Sequence, residues 1–146
     1  MTSDLSPRLA TIVAALPLRR GIRVIEIGCG PGAAARAIAR RIGDGHVLAI
    51  DRSPRAIAQA RSACAVEIAA GLLSLREVAV EDFTLAPGEA PYDLALAVRV
   101  GALDGRHPEA GRRALPRIAA ALAPGGRLFI DGGAPLREVS LAAWRA

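Results

Sequence analysis

The sequence predicts a doubly wound α/β domain, in which helices cover both faces of a parallel sheet. Three observations lead there. Short apolar runs alternate with segments of helical spacing along nearly the whole chain. A glycine-rich turn, Gly28-Cys29-Gly30-Pro31-Gly32, joins the first of these runs to a helical segment. A carboxylate, Asp51, closes the second run. Together they outline a nucleotide-type site at the carboxyl end of a sheet.

The elements follow in order. Leu9, Ile12, Val13 and Leu16 recur at helical spacing behind Pro7, and Pro17 closes that helix. Residues 22–27 are rich in β-branched side chains and read as the first strand, buried on both faces. The glycine turn then feeds a helix over residues 33–42, which Gly43-Asp44-Gly45 ends. Residues 46–51 form the second strand. Ser53 caps the next helix and Pro54 occupies its first position, so this helix is expected to run to about Gly71. Residues 76–80 alternate polar and apolar as a less buried third strand, and residues 92–98 are an almost continuous apolar fourth. A helix over 108–122 contains Pro116, which should kink or split it. Pro124-Gly125-Gly126 makes a sharp turn into a fifth strand, residues 127–131.

Composition narrows the function classes. A chain of 146 residues is read as one domain, residues 1–146, long enough to bury a core. Hydrophobic residues make up 52% and charged residues 23%, which argues against disorder. Every basic residue is Arg, and the formal charge is +5. These arginines are scattered with no interleaved aromatics, so the charge reads as general surface and nucleic-acid binding has no positive support. Cys29 and Cys64 form neither a disulfide framework nor a metal-ligand spacing, so no metal is expected. Residues 1–7 lack a basic region followed by an apolar core, and no apolar run reaches the roughly 18 residues of a membrane span. A cytoplasmic location, away from membranes, is therefore expected.

The chemistry concentrates around the glycine turn. Its glycines let the backbone turn tightly and approach a ligand. Gly28, Gly30 and Ala33 satisfy the dinucleotide fingerprint, which would make the protein an NAD-dependent oxidoreductase. Glu26 argues otherwise, because a pyrophosphate over the helix start gains nothing from an anion two residues before the first glycine. A ligand with an ammonium group and no phosphate does. The run from Glu26 to Gly32 resembles motif I of the class I S-adenosylmethionine-dependent methyltransferases, acidic-x-Gly-x-Gly-x-Gly. The turn Leu122-Ala123-Pro124-Gly125-Gly126-Arg127-Leu128 is similar to the one that enters that family's fifth strand. The two motifs and the elements between them span most of the chain.

The resemblance implies a Rossmann-like, three-layer α/β/α sandwich with strand order 3-2-1-4-5. It implies S-adenosyl-L-methionine as cofactor, S-adenosyl-L-homocysteine as product, and transfer of a methyl group to a small-molecule acceptor. Glu26 would hold the cofactor's amino group, with Gly28, Cys29, Gly30 and Gly32 packed against its methionine part. Asp51 and Arg52 would meet the ribose. Asp82 would accept from the adenine amino group, and Phe83 would supply a backbone N–H and an apolar wall. Val98 and Arg99 would lie where the fourth strand reaches the cofactor. Beyond them, Arg99, Asp104 and His107 are the candidates for acceptor binding or acid–base work. Family members continue past the fifth strand into an antiparallel strand pair, for which 15 residues here are too few. The fifth strand is thus expected to be an edge, and a homodimer through it and the tail would cover it. The same shortness leaves a second function open, a cofactor-binding domain inactive without a partner subunit.

Overall fold

A computed structural model describes residues 5–145 of the chain. Helix α1 (Pro7–Ala15) is capped by Ser6 Oγ, which accepts the Leu9 N–H. It is followed by β1 (Arg23–Ile27), α2 (Ala33–Ala39), β2 (His46–Asp51), α3 (Pro54–Ala63) and α4 (Ala65–Ala69). Then come β3 (Leu73–Glu77), a 3-10 turn over Val80–Asp82, β4 (Tyr92–Ala97), α5 (Pro108–Ala121), β5 (Leu122–Asp131) and β6 (Leu136–Val139). The strands form one six-stranded sheet in the order β3-β2-β1-β4-β5-β6. The first five are parallel, and β6 runs antiparallel to β5 from Leu136↔Asp131 to Val139↔Leu128.

Alternation along each strand separates two cores. Val24, Val47, Leu94 and Leu96 pack with Ile12, Val13 and Ile38 of α1 and α2 on one face. Ile25, Leu48, Ile50, Ala95 and Leu128 pack with Ala114 and Ile118 of α5 on the other. Such burial on both faces is why these strands read as continuous apolar runs rather than as alternating ones.

Four expectations need correction. The third strand lies at Leu73–Glu77, three residues earlier than its alternation suggested: Leu73 and Leu75 carry the strand's apolar alternation, one residue out of phase with Val78 and Val80, which follow it. Cys64 divides the expected long helix into α3 and α4. Helix α5 runs unbroken through Pro116. The fourth correction concerns the sheet's end. The tail supplies β6, so β5 is hydrogen-bonded on both sides and is not an edge. Leu136, Val139 and Leu141 join the molecule's own cores, and the edge on which the homodimer rested does not exist in this fold. The Pro124-Gly125-Gly126 turn persists as a register shift within β5, between Tyr92↔Leu122 and Leu94↔Arg127. Among the described residues no helix is long and apolar enough to cross a membrane.

Candidate active site

The strand order reverses between β1 and β4, and at such a switch point the loops leave the sheet in opposite directions and open a crevice. A cavity of about 630 Å³ lies there. It extends from Gly28, Asp51 and Arg52 past residues 78–81 to the loop after β4.

Glu26 sits on the β1 face that packs under α2 and is only 3% exposed. Its carboxyl accepts the Ala35 backbone N–H, near the start of α2, while Oε1 has no hydrogen-bond partner. Burial raises its pKa from 4.5 to about 8; the Ala35 bond offsets part of the rise and the negative Asp51 adds to it. A buried carboxyl with an unused oxygen is costly unless something pairs with it.

The glycine turn is tied at both ends. Cys29 N–H donates to the Ile50 carbonyl at 2.9 Å and Gly32 N–H to the Cys29 carbonyl at 3.0 Å. Gly32, at φ +90°, lies against α3, where a Cβ would come within 2.9 Å of Cys64 Sγ. Gly30, at φ +55°, faces open space instead, so a side chain there would occupy room a ligand could use. Asp51 anchors the turn: Oδ2 accepts the Gly30 N–H and Oδ1 the Ser53 N–H, both at 2.9 Å. Each oxygen keeps a lone pair for a ribose hydroxyl. Burial pushes both thiols up, Cys29 further still through Glu26 and Asp51, so neither cysteine serves as a thiolate nucleophile.

The remaining candidates lie as follows. Glu81 lines the cavity, whereas Asp82 is exposed outside it. Phe83 is buried in the core beneath the Arg76 guanidinium, and its N–H is already donated to the Val80 carbonyl. Val98 packs on the α1–α2 core and does not line the cavity. Arg52, Arg99 and His107 do line it. His107 N–H donates to the Gly101 carbonyl at 2.9 Å, and its ring leaves no room for a Cβ at Gly101. Asp104 pairs with Arg106 at 2.9 Å, and that bond holds its carboxyl below the usual range. It braces the loop and is a poor general base. Sequence reading missed Arg106 and Arg113, which also line the cavity; their only signal was a position flanking the start of α5.

The strand order, the glycine turn and the braced acid at the end of β2 define a class, the Rossmann-like domains that bind an adenosine-containing ligand at a switch point. Comparison with known proteins specifies it. Residues 24–126 match the family described as methyltransferase domain. The trans-aconitate 2-methyltransferase of Delftia acidovorans is 33% identical over 122 residues, covering 84% of this chain and 42% of that protein. The ribosomal RNA large subunit methyltransferase E of Sorangium cellulosum is 38% identical over 117 residues, 75% of this chain and 51% of that protein. A SAM-dependent methyltransferase from Thiobacillus denitrificans, solved with S-adenosyl-L-homocysteine, superposes with a TM-score of 0.66 at 26% identity. That match covers 86% of this chain and 48% of the other. The chain belongs to the class I S-adenosylmethionine-dependent methyltransferase family. It spans less than half the length of the trans-aconitate methyltransferases it matches.

The residues present fit that family's cofactor. The unpaired Glu26 oxygen suits an ammonium, the space over Gly30 suits a close ligand, and Asp51 offers free lone pairs to a ribose.

Proposed function

We propose that the chain binds S-adenosyl-L-methionine and transfers its methyl group to a small-molecule acceptor. The observation that carries this reading is the buried Glu26 carboxyl, whose Oε1 lacks a partner beside a glycine turn. A nicotinamide dinucleotide supplies no cation to that position, whereas an amino acid side of a cofactor does. Glu26 would hold the ammonium and Asp51 the ribose hydroxyls, with Ile27, Ile50 and Val80 providing apolar surface around the adenosine. The bound cofactor supplies an electrophilic methyl group on sulfur, which needs positioning more than activation. The protein's share of the work is therefore to orient the acceptor and keep water out. His107, at the start of α5 and open to the cavity, is the group placed to take a proton from an acceptor that must lose one.

Calorimetry with S-adenosyl-L-homocysteine and, separately, with NADH tests the reading. Binding of the first and not of the second is expected. NADH binding with no response to S-adenosyl-L-homocysteine would overturn it.

A further inference from the structure

The charges around the cavity do not cancel. Each acid on its wall is engaged. Glu81 pairs with Arg113 at 3.6 Å, Glu109 pairs with Arg112, and Asp51 accepts two backbone N–H groups. Arg106 is spent on Asp104 and on the Arg99 carbonyl. Arg52 and Arg99 remain, exposed and without a carboxylate partner among the described residues.

Arg99 is unusual in a second way. It is the only non-glycine described residue with a positive φ, at 56°, a conformation that costs energy for a side chain of this size. Three charged groups hold it there. Its N–H donates to Asp131 Oδ1 at 3.0 Å, its carbonyl accepts from Arg106 Nη2 at 2.9 Å, and Arg8 holds the other oxygen of Asp131 at 2.8 Å. Asp131 remains ionised because, against its partial burial, the Arg99 N–H and Arg8 keep its carboxyl low. The fold thus spends an ion pair and two hydrogen bonds to fix one backbone unit, and the side chain on that unit is a free guanidinium at the cavity.

We propose that the acceptor carries an oxyanion, carboxylate or phosphate, and that Arg99 captures it. Asp131 is the positioning residue behind Arg99. This rests on the methyltransferase reading above and names the acceptor's chemical class. A guanidinium binds either oxyanion through two parallel hydrogen bonds, which a neutral acceptor cannot accept with equal strength. Arg99 stands past the end of β4, across the switch point from Asp51, on the side left for the acceptor when the ribose occupies β2.

The test uses the full chain loaded with S-adenosyl-L-homocysteine. Calorimetry then follows trans-aconitate, its neutral trimethyl ester and glycerol 3-phosphate. One of the two anions should bind and the ester should not, and the anion that binds distinguishes carboxylate from phosphate. Arg99→Gly, for which this φ is unstrained, should weaken anion binding by about tenfold or more, leaving S-adenosyl-L-homocysteine affinity within about twofold. Asp131→Ala should weaken the anion likewise, and Asp131→Asn, which keeps an acceptor for the Arg99 N–H, should restore it. Equal binding of the ester, no binding of either anion, or an Arg99→Gly variant that binds the anion normally would each overturn the proposal. So would an Arg99→Gly variant that loses the homocysteine compound, since that places Arg99 on the cofactor. Failure of the unaltered chain to bind S-adenosyl-L-homocysteine would overturn the methyltransferase reading and this inference with it.

Discussion

Glu26 is the residue at which stability and ligand binding pull apart. Its carboxyl holds its proton up to about pH 8 in the folded chain, against an ordinary value of 4.5. Between those values the folded state binds more protons than the unfolded one, so this group's contribution to stability is full below about pH 4.5 and declines as pH rises through 8. Glu26→Gln removes that decline. Thermal unfolding of the variant should gain on the unaltered chain between pH 5 and pH 8. The same substitution deletes the anion offered to a ligand's ammonium, so S-adenosyl-L-homocysteine affinity should fall as stability rises. A second consequence is proton release. Binding a cation beside Glu26 at pH 7 should ionise it, and calorimetry in buffers of differing ionisation enthalpy should detect about one proton released. No release would mean that the ammonium lies elsewhere.

Asp51 carries a comparable double role. Both of its oxygens already hold backbone N–H groups, one in the glycine turn and one at the cap of α3. Asp51→Ala should therefore weaken ligand binding and lower the melting temperature together, because two loops lose their anchor at about 1.5–3 kcal/mol per charge-assisted bond before water compensates. Asp51→Asn keeps one acceptor oxygen and should lie between. Equal melting temperatures for all three chains would mean that water replaces the anchor completely.

At the scale of elements, α4 shows how a charge is used in a poorly aromatic core. Glu67 is 4% exposed and sits between Arg40, at 3.1 Å, and Arg36, at 3.6 Å, tying α4 to α2. Removing one partner of a buried ion group leaves the others desolvated and unpaired. Glu67→Ala should thus destabilise by about 2–3 kcal/mol, below the usual 3–5 because Arg40 is largely exposed. Urea unfolding measures it, and a change below about 0.5 kcal/mol would place the triad among surface pairs.

Elements of this kind also mark where sequence was legible. The β1-turn-α2 unit could be read because the strand, glycine spacing and acid each answer one physical demand within nine residues. β2 and its terminal Asp51 were equally plain. Glu67 was not, since its partners lie a helix and a strand away in sequence and nothing local distinguishes it from a solvated helix acid. The 3-10 turn over Val80–Asp82 decides whether Glu81 or Asp82 faces the cavity, and a slip of one residue there is invisible to periodicity. Arg99 was visible as a cation after β4. Its strained backbone and the Asp131–Arg8 brace come from residues 32 and 91 positions away.

For the molecule as a whole, the tail decides how the sheet ends. A strand pair was expected to be missing because few residues follow β5, yet four residues suffice for β6, and a turn through Gly132 and Gly133 brings them back antiparallel. Leu141 is then buried, and Arg127 and Glu138 pair at 2.8 Å across the outermost strands. What remains exposed on β6 is Arg137 and Glu138, charged groups that discourage another strand from adding at this edge. The apolar surface that would have driven association is spent internally, apart from Trp144, which is 38% exposed. The 146-residue chain should therefore be monomeric in light scattering across a concentration series. Replacing Val139 with Pro should reverse this. Proline fixes φ away from strand values and is disfavoured within a paired strand, so it should loosen β6 from β5 and free the β5 backbone to pair with a second copy. If the unaltered chain is dimeric at low concentration, the contact must lie away from β5, and Arg137→Glu on β6 would show whether that strand takes part.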